Sequence, residues 1–135
     1  MLLKLPQEPS QIATTIVRIS FGVSLMFVAL AHFSDLQSFS LVVSDGLEFL
    51  GPLPRLWAYI QPSLMLFGGA LLAINRFPIL ATWCAGVALA VIPVGMLSKT
   101  IFGLDLADMM ASAINAWIWL LIFLAIVKMT APAKS

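Results

Sequence analysis

The stretch MMASAINAWIWLLIFLAIV, Met109 to Val127, carries no charge, and its strongest polar side chains are Ser112 and Asn115. As an α-helix rising 1.5 Å per residue it is about 28 Å long, close to the thickness of a bilayer's hydrocarbon core. Three further stretches read the same way: Ile12 to Phe33, Trp57 to Ile74 and Pro78 to Leu97. The four hold one Arg (Arg18) and one His (His32) between them and fill well over half of the chain. Only helices and closed barrels satisfy their backbone polar groups in hydrocarbon. The expected fold class is all-α: a four-transmembrane-helix bundle over residues 12–33, 57–74, 78–97 and 109–127, forming one integral membrane domain of residues 1–135 in the lipid bilayer.

Composition narrows the function. The 135 residues are 61% hydrophobic and 10% charged, with a mean hydropathy of +1.06, against roughly 25% charged in soluble domains. No region of balanced composition offers a separate soluble catalytic domain, so the chain is not expected to be an enzyme on its own. The net charge of +1, with Lys and Arg scattered singly, argues against nucleic acid and against a polybasic lipid-binding segment. Cys84 is the single cysteine and His32 the single histidine, so no bis-His haem or Cys/His zinc site is available, and no metal is expected.

Four spans place both termini on one side. Lys4, Arg18, Arg76, Lys128 and Lys134 fall there, with Arg55 and Lys99 opposite, which by the positive-inside rule predicts cytoplasmic termini. Asp35, Asp45, Glu48, Asp105 and Asp108 make the outer face acidic. Ala29-Leu30-Ala31 imitates a signal-peptidase site. A lead of eighteen residues containing Glu8 and two prolines fits a cleaved signal poorly, so a retained first helix is expected. Between the first two spans, Leu36, Phe39, Val42, Val43, Leu47 and Leu50 recur at helical spacing among polar residues. This predicts an amphipathic helix on the outer surface from Asp35 to Leu50, stopped by Gly51-Pro52-Leu53-Pro54. Asn75 to Phe77 is a tight turn, and the tail from Thr130 to Ser135 is expected to fray.

Two polar stripes are candidate ligand-binding sites. Arg18, Gly22, Leu25, Ala29 and His32 follow at offsets of 4, 3, 4 and 3, so the Arg and the His share one face of the first helix. Arg18 either snorkels to the headgroups, the ordinary behaviour, or faces the bundle and holds an anionic or carbonyl-bearing group. His32, near the outer boundary, is ordinarily solvated or a cap, with Asp35, Asp105 or Asp108 as possible partners. Asp108, Ser112, Asn115 and Trp119 form the second stripe, expected to enter the bundle from outside. Asn115 is its deepest strong polar group, ordinarily helix-to-helix glue and alternatively a donor to the carbonyl of a quinone stacked on Trp117 or Trp119. With no Asp or Glu inside a span, a proton-coupled transporter lacks its carboxylate.

The order of these features resembles the DoxX family of small four-helix bacterial and archaeal membrane proteins. Arg18-Ile19-Ser20-Phe21-Gly22 followed by an apolar run to His32-Phe33, then Gly51-Pro52-Leu53-Pro54, Gly68-Gly69 and Arg76 carry the likeness. His32 stands where that pattern commonly has Lys, Met65 where it has Glu, and Asn75 where it has Gly. The resemblance implies an accessory or anchoring subunit of a membrane redox complex, quinone-linked, with no intrinsic cofactor and a membrane redox protein as partner. A small homo-oligomeric transporter or channel, and a scaffold or assembly factor docking through the outer amphipathic segment, are the alternatives.

Overall fold

The computed structural model describes residues 5–130. Lys4, Lys134 and the tail beyond Thr130 lie outside them. Four long helices and one short one make an all-α bundle: α1 (Pro9–Ser34), α2 (Leu36–Ser44), α3 (Leu53–Ile74), α4 (Pro78–Ser98) and α5 (Leu106–Thr130). Short 3₁₀ turns at Glu48–Leu50 and Lys99–Phe102 complete the connections. α1, α3, α4 (with its 3₁₀ extension) and α5 are each long and apolar enough to cross a membrane.

α1 and α3 begin earlier than their apolar runs, at Pro9 and Leu53, because proline opens a helix as well as it ends one. Pro9 and Pro78 occupy first-turn positions, where a missing N–H costs nothing, and so does Pro54 of the Gly-Pro segment. Glu8 stands at the N-cap of α1, and neither Ser10 nor Thr14 caps it; Thr14 Oγ1 donates back to the Ser10 carbonyl. The amphipathic helix is shorter than its pattern. It ends at Ser44, not at Gly51-Pro52, because Gly46 adopts φ +78° and its N–H turns to Glu48 Oε1 at 3.1 Å.

In space the spans neighbour one another in the order α1, α3, α4, α5, and the seam between α1 and α5 is the lightest contact. Glycines set the two tight interfaces. Gly69 faces α1, where its position would bring a Cβ within 2.5 Å of the Gly22 carbonyl oxygen, and Gly68 faces α4, within 2.6 Å of the Ala85 amide nitrogen. The pair thus lets one helix touch two neighbours backbone to backbone. Leu25, Ala29, Met65, Ala81, Ala85, Ala88 and Leu89 fill the centre, and Phe123 and Ile126 bring α5 onto it. Phe21 bridges the α1/α5 seam, its ring centroid 5.4 Å from Trp119 and 6.5 Å from Phe123.

Candidate functional site

A cavity of about 800 Å³ lies where α2 folds against α3 and α1, between the end of α1, the start of α3 and the end of α4. That volume suits a drug-sized or lipid-sized ligand. Its wall is mainly apolar, with Phe39 and Val43 from α2, Leu53 and Ile60 from α3, and Ile92 and Met96 from α4. Gly95 is open on the cavity side, since a Cβ there would meet nothing within 4 Å. Few polar groups converge on it: His32, Asp35, Ser38, Trp57, Gln61 and Lys99.

Two of those groups are buried with hydrogen-bonding capacity left over. Gln61, 6% exposed, accepts a bond from Trp57 Nε1 one turn earlier at 3.0 Å and donates to the Ala88 carbonyl at 3.3 Å. A carboxamide has a second N–H to give. Nearby Pro93 has no N–H for the carbonyl of Leu89, so α4 lacks a ladder bond one residue beyond this contact. Lys99, 4% exposed, donates to the carbonyl of Val42 in the last turn of α2. Gly46 would supply that bond if the helix continued; with its N–H on Glu48, the cation takes over and fastens α2 to the end of α4. An ammonium carries three donors, so Lys99 also keeps spare ones. At the opposite end of α2, His32 stacks on Phe39 with ring centroids 3.9 Å apart, and Asp35 accepts from the Ser38 amide at 3.2 Å.

The first stripe is one continuous buried face. Arg18, Gly22, Leu25 and Ala29 are all buried against α3, and His32 is half-buried. Its two polar ends do not meet, because fourteen residues of helix, about 21 Å, separate them, with Leu25 and Ala29, both 0% exposed, between. Arg18 turns toward α3 and is 9% exposed within the chain. Its guanidinium Nη1 donates to the carbonyls of Leu72 at 2.8 Å and Ala73 at 3.1 Å, in the last turn of α3. Asn75 there is left-handed (φ 53°), its N–H returning to Leu72 and that of Arg76 to Leu71, a Schellman-type ending that leaves the Ala73 carbonyl free. The carbonyl-bearing group held by Arg18 is therefore backbone.

The second stripe does not enter the bundle. Asp108 and Asn115 are exposed on α5, Ser112 is half-buried, and Trp119 packs on Phe21. α5 packs on α4 and, lightly, on α1, and the rest of its circumference faces away from the bundle, so a polar residue on it need not point inward. Of the sequence-derived candidates His32 lines the cavity, together with Asp35, one of its possible partners; Trp57, Gln61 and Lys99 are not among those candidates. Gln61 did have a signal, an amide one turn into a membrane-length apolar run with Trp57 four residues before it. Among the described residues no three His, Cys, Asp or Glu side chains come together as a metal site. No protein-family model, no curated protein and no solved structure matches this chain.

Proposed function

We propose that the chain is a DoxX-like accessory subunit of a membrane redox complex that holds a quinone-class ligand in the cavity beneath α2. The reading carries with it a bacterial inner membrane, and the charge distribution of Lys4, Arg18, Arg76, Lys128 and Lys134 against Arg55 and Lys99 supports termini in the cytoplasm. One observation carries it: an apolar cavity of about 800 Å³ at one end of the spans that keeps donors on buried Gln61 and Lys99. A lipid-soluble molecule with carbonyl oxygens fits such a wall, its ring against Phe39 and Trp57 and its oxygens toward those donors. A quinone supplies two-electron carriage between membrane proteins. The residues here only bind and orient it. The transporter alternative would draw on Arg18 at one side and on Asp108, Ser112 and Asn115 at the other, none of which lines this cavity, and the scaffold alternative on the outer amphipathic segment, whose Phe39 and Val43 do line it.

Solvent extraction of the chain purified in mild detergent, with mass spectrometry of the extract, tests the reading. Quinone is expected to co-purify at a constant ratio through successive columns. Gln61→Leu, which removes one buried donor of about 1 kcal/mol, is expected to lower that ratio roughly fivefold at limiting quinone. Quinone at the level of the surrounding lipid in both proteins would reject it.

A further inference from the structure

One side of α5 is exposed along its whole length, touching the rest of the chain only where Ile122 borders a groove against Ile16, Val17 and Ser20 of α1. Ala111, Asn115, Ile118, Ile122, Ala125 and Met129 follow at offsets of 4, 3, 4, 3 and 4, and every one of them is exposed. Alternating threes and fours average 3.5 residues, the repeat that keeps one helix seam against another over a left-handed crossing. The buried side of the same helix, Ala113, Ala116, Phe123 and Ile126, points elsewhere. Asn115 lies nine residues after Leu106, about 13 Å along a helix about 37 Å long, well inside the hydrocarbon. Hydroxyls at comparable depth return to their own helix: Ser24 donates to the Ser20 carbonyl at 2.7 Å and Ser63 to that of Tyr59 at 2.8 Å. Asn115 makes no such bond among the described residues, and lipid tails offer none.

We propose that two copies of this chain pair in the membrane through this face of α5, with Asn115 bonded to Asn115 of the second copy. Symmetry selects the occupant. Copies inserted in one orientation form a closed pair only about an axis along the membrane normal, so the two helices at that axis run parallel and in register. A residue on the seam then meets its twin. A carboxamide is complementary to itself, offering N–H and C=O to the same groups opposite, whereas an unrelated helix would need a matching amide at the same depth. Ala111 and Ala125 let the backbones approach, and Ile118 and Ile122 fill the seam between them. Asp108, one turn before Ala111, marks the water-side end of the seam. This inference uses none of the cavity residues and stands whether or not a quinone binds.

The full chain carrying Cys84→Ser and one new cysteine, reconstituted in phosphatidylcholine vesicles and oxidised, tests it. Disulfide-linked pairs are expected from Ala111→Cys and Ile122→Cys and not from Ile114→Cys or Leu121→Cys, since bridged Cα atoms must come within about 7 Å. Energy transfer between labelled copies during lipid dilution then measures the pair. Asn115→Leu is expected to raise its dissociation constant roughly threefold to twentyfold, and Asn115→Gln to restore most of the loss. A chain that stays monomeric at every protein-to-lipid ratio would overturn the proposal. So would cross-linking equally around α5, an Asn115→Leu pair of unchanged strength, or cross-links in native membranes only to a different protein.

Discussion

Gly22→Ala is expected to lower the stability of the bundle by about 3 kcal/mol, a large effect for one methyl group. The added carbon would lie 2.4 Å from the Gly69 carbonyl oxygen and 2.9 Å from the Ala73 amide nitrogen, both backbone atoms that cannot rotate aside. α1 must then move off α3, and the close packing of Leu25 and Ala29 against that helix goes with it. Gly69→Ala meets the same wall from the other side, 2.5 Å from the Gly22 carbonyl oxygen. Gly95→Ala serves as the contrast, because nothing lies within 4 Å of its added carbon and alanine suits a helix better by about 1 kcal/mol. Thermal unfolding in a single detergent checks the ordering. Equal melting of Gly22→Ala and Gly95→Ala would mean that α1 and α3 do not touch as described.

Arg18→Leu comes next, with an expected loss of about 2–4 kcal/mol. The leucine conserves an apolar stem but leaves the Ala73 carbonyl without a donor and strips the positive charge from the negative end of the α3 dipole. Arg18→Lys keeps the charge and gives up the planar fork, so it is expected to recover only part of the loss. If Arg18 merely reached for lipid headgroups, Leu would be nearly neutral and Lys indistinguishable from wild type. Amide exchange at Asn75 and Arg76, whose N–H groups close the same turn, reports the local effect separately from global unfolding.

Arg18 shows how far the sequence could be read. Period 3.6 was enough to group it with Gly22, Leu25, Ala29 and His32, and the structure buries the first four of them together. Spacing could not say what the guanidinium holds, because the acceptors are main-chain oxygens created only when α3 ends in a left-handed Asn75. The four spans were legible for the same reason the stripe was: hydrocarbon demands long uncharged helices. The start of α4 at Pro78 agrees with its apolar run, whereas α1 and α3 start earlier than theirs, because Pro9 and Pro54 lie in the first turn of a helix and not before it. The cavity was not legible at all. It exists because α2 turns back at Asp35 and is fastened by Lys99, more than fifty residues away, a contact invisible to local periodicity. Spacing alone turns Asn115 inward only if a polar residue in a span faces its own bundle; α5, packed on α4 and lightly on α1, has an outward side, and Asn115 lies on it.

The central claim is that the ligand site lies beneath α2 and not along α5, and site-mapped photolabelling with a photoreactive quinone tests it most directly. Light-driven adducts on the membrane-reconstituted chain are expected on cavity residues such as Phe39, Trp57 and Met96, to be displaced by unlabelled quinone, and to weaken in Lys99→Met, which frees the end of α2. Adducts that map to Trp117 or Trp119, or labelling that no excess of unlabelled quinone displaces, would contradict the account.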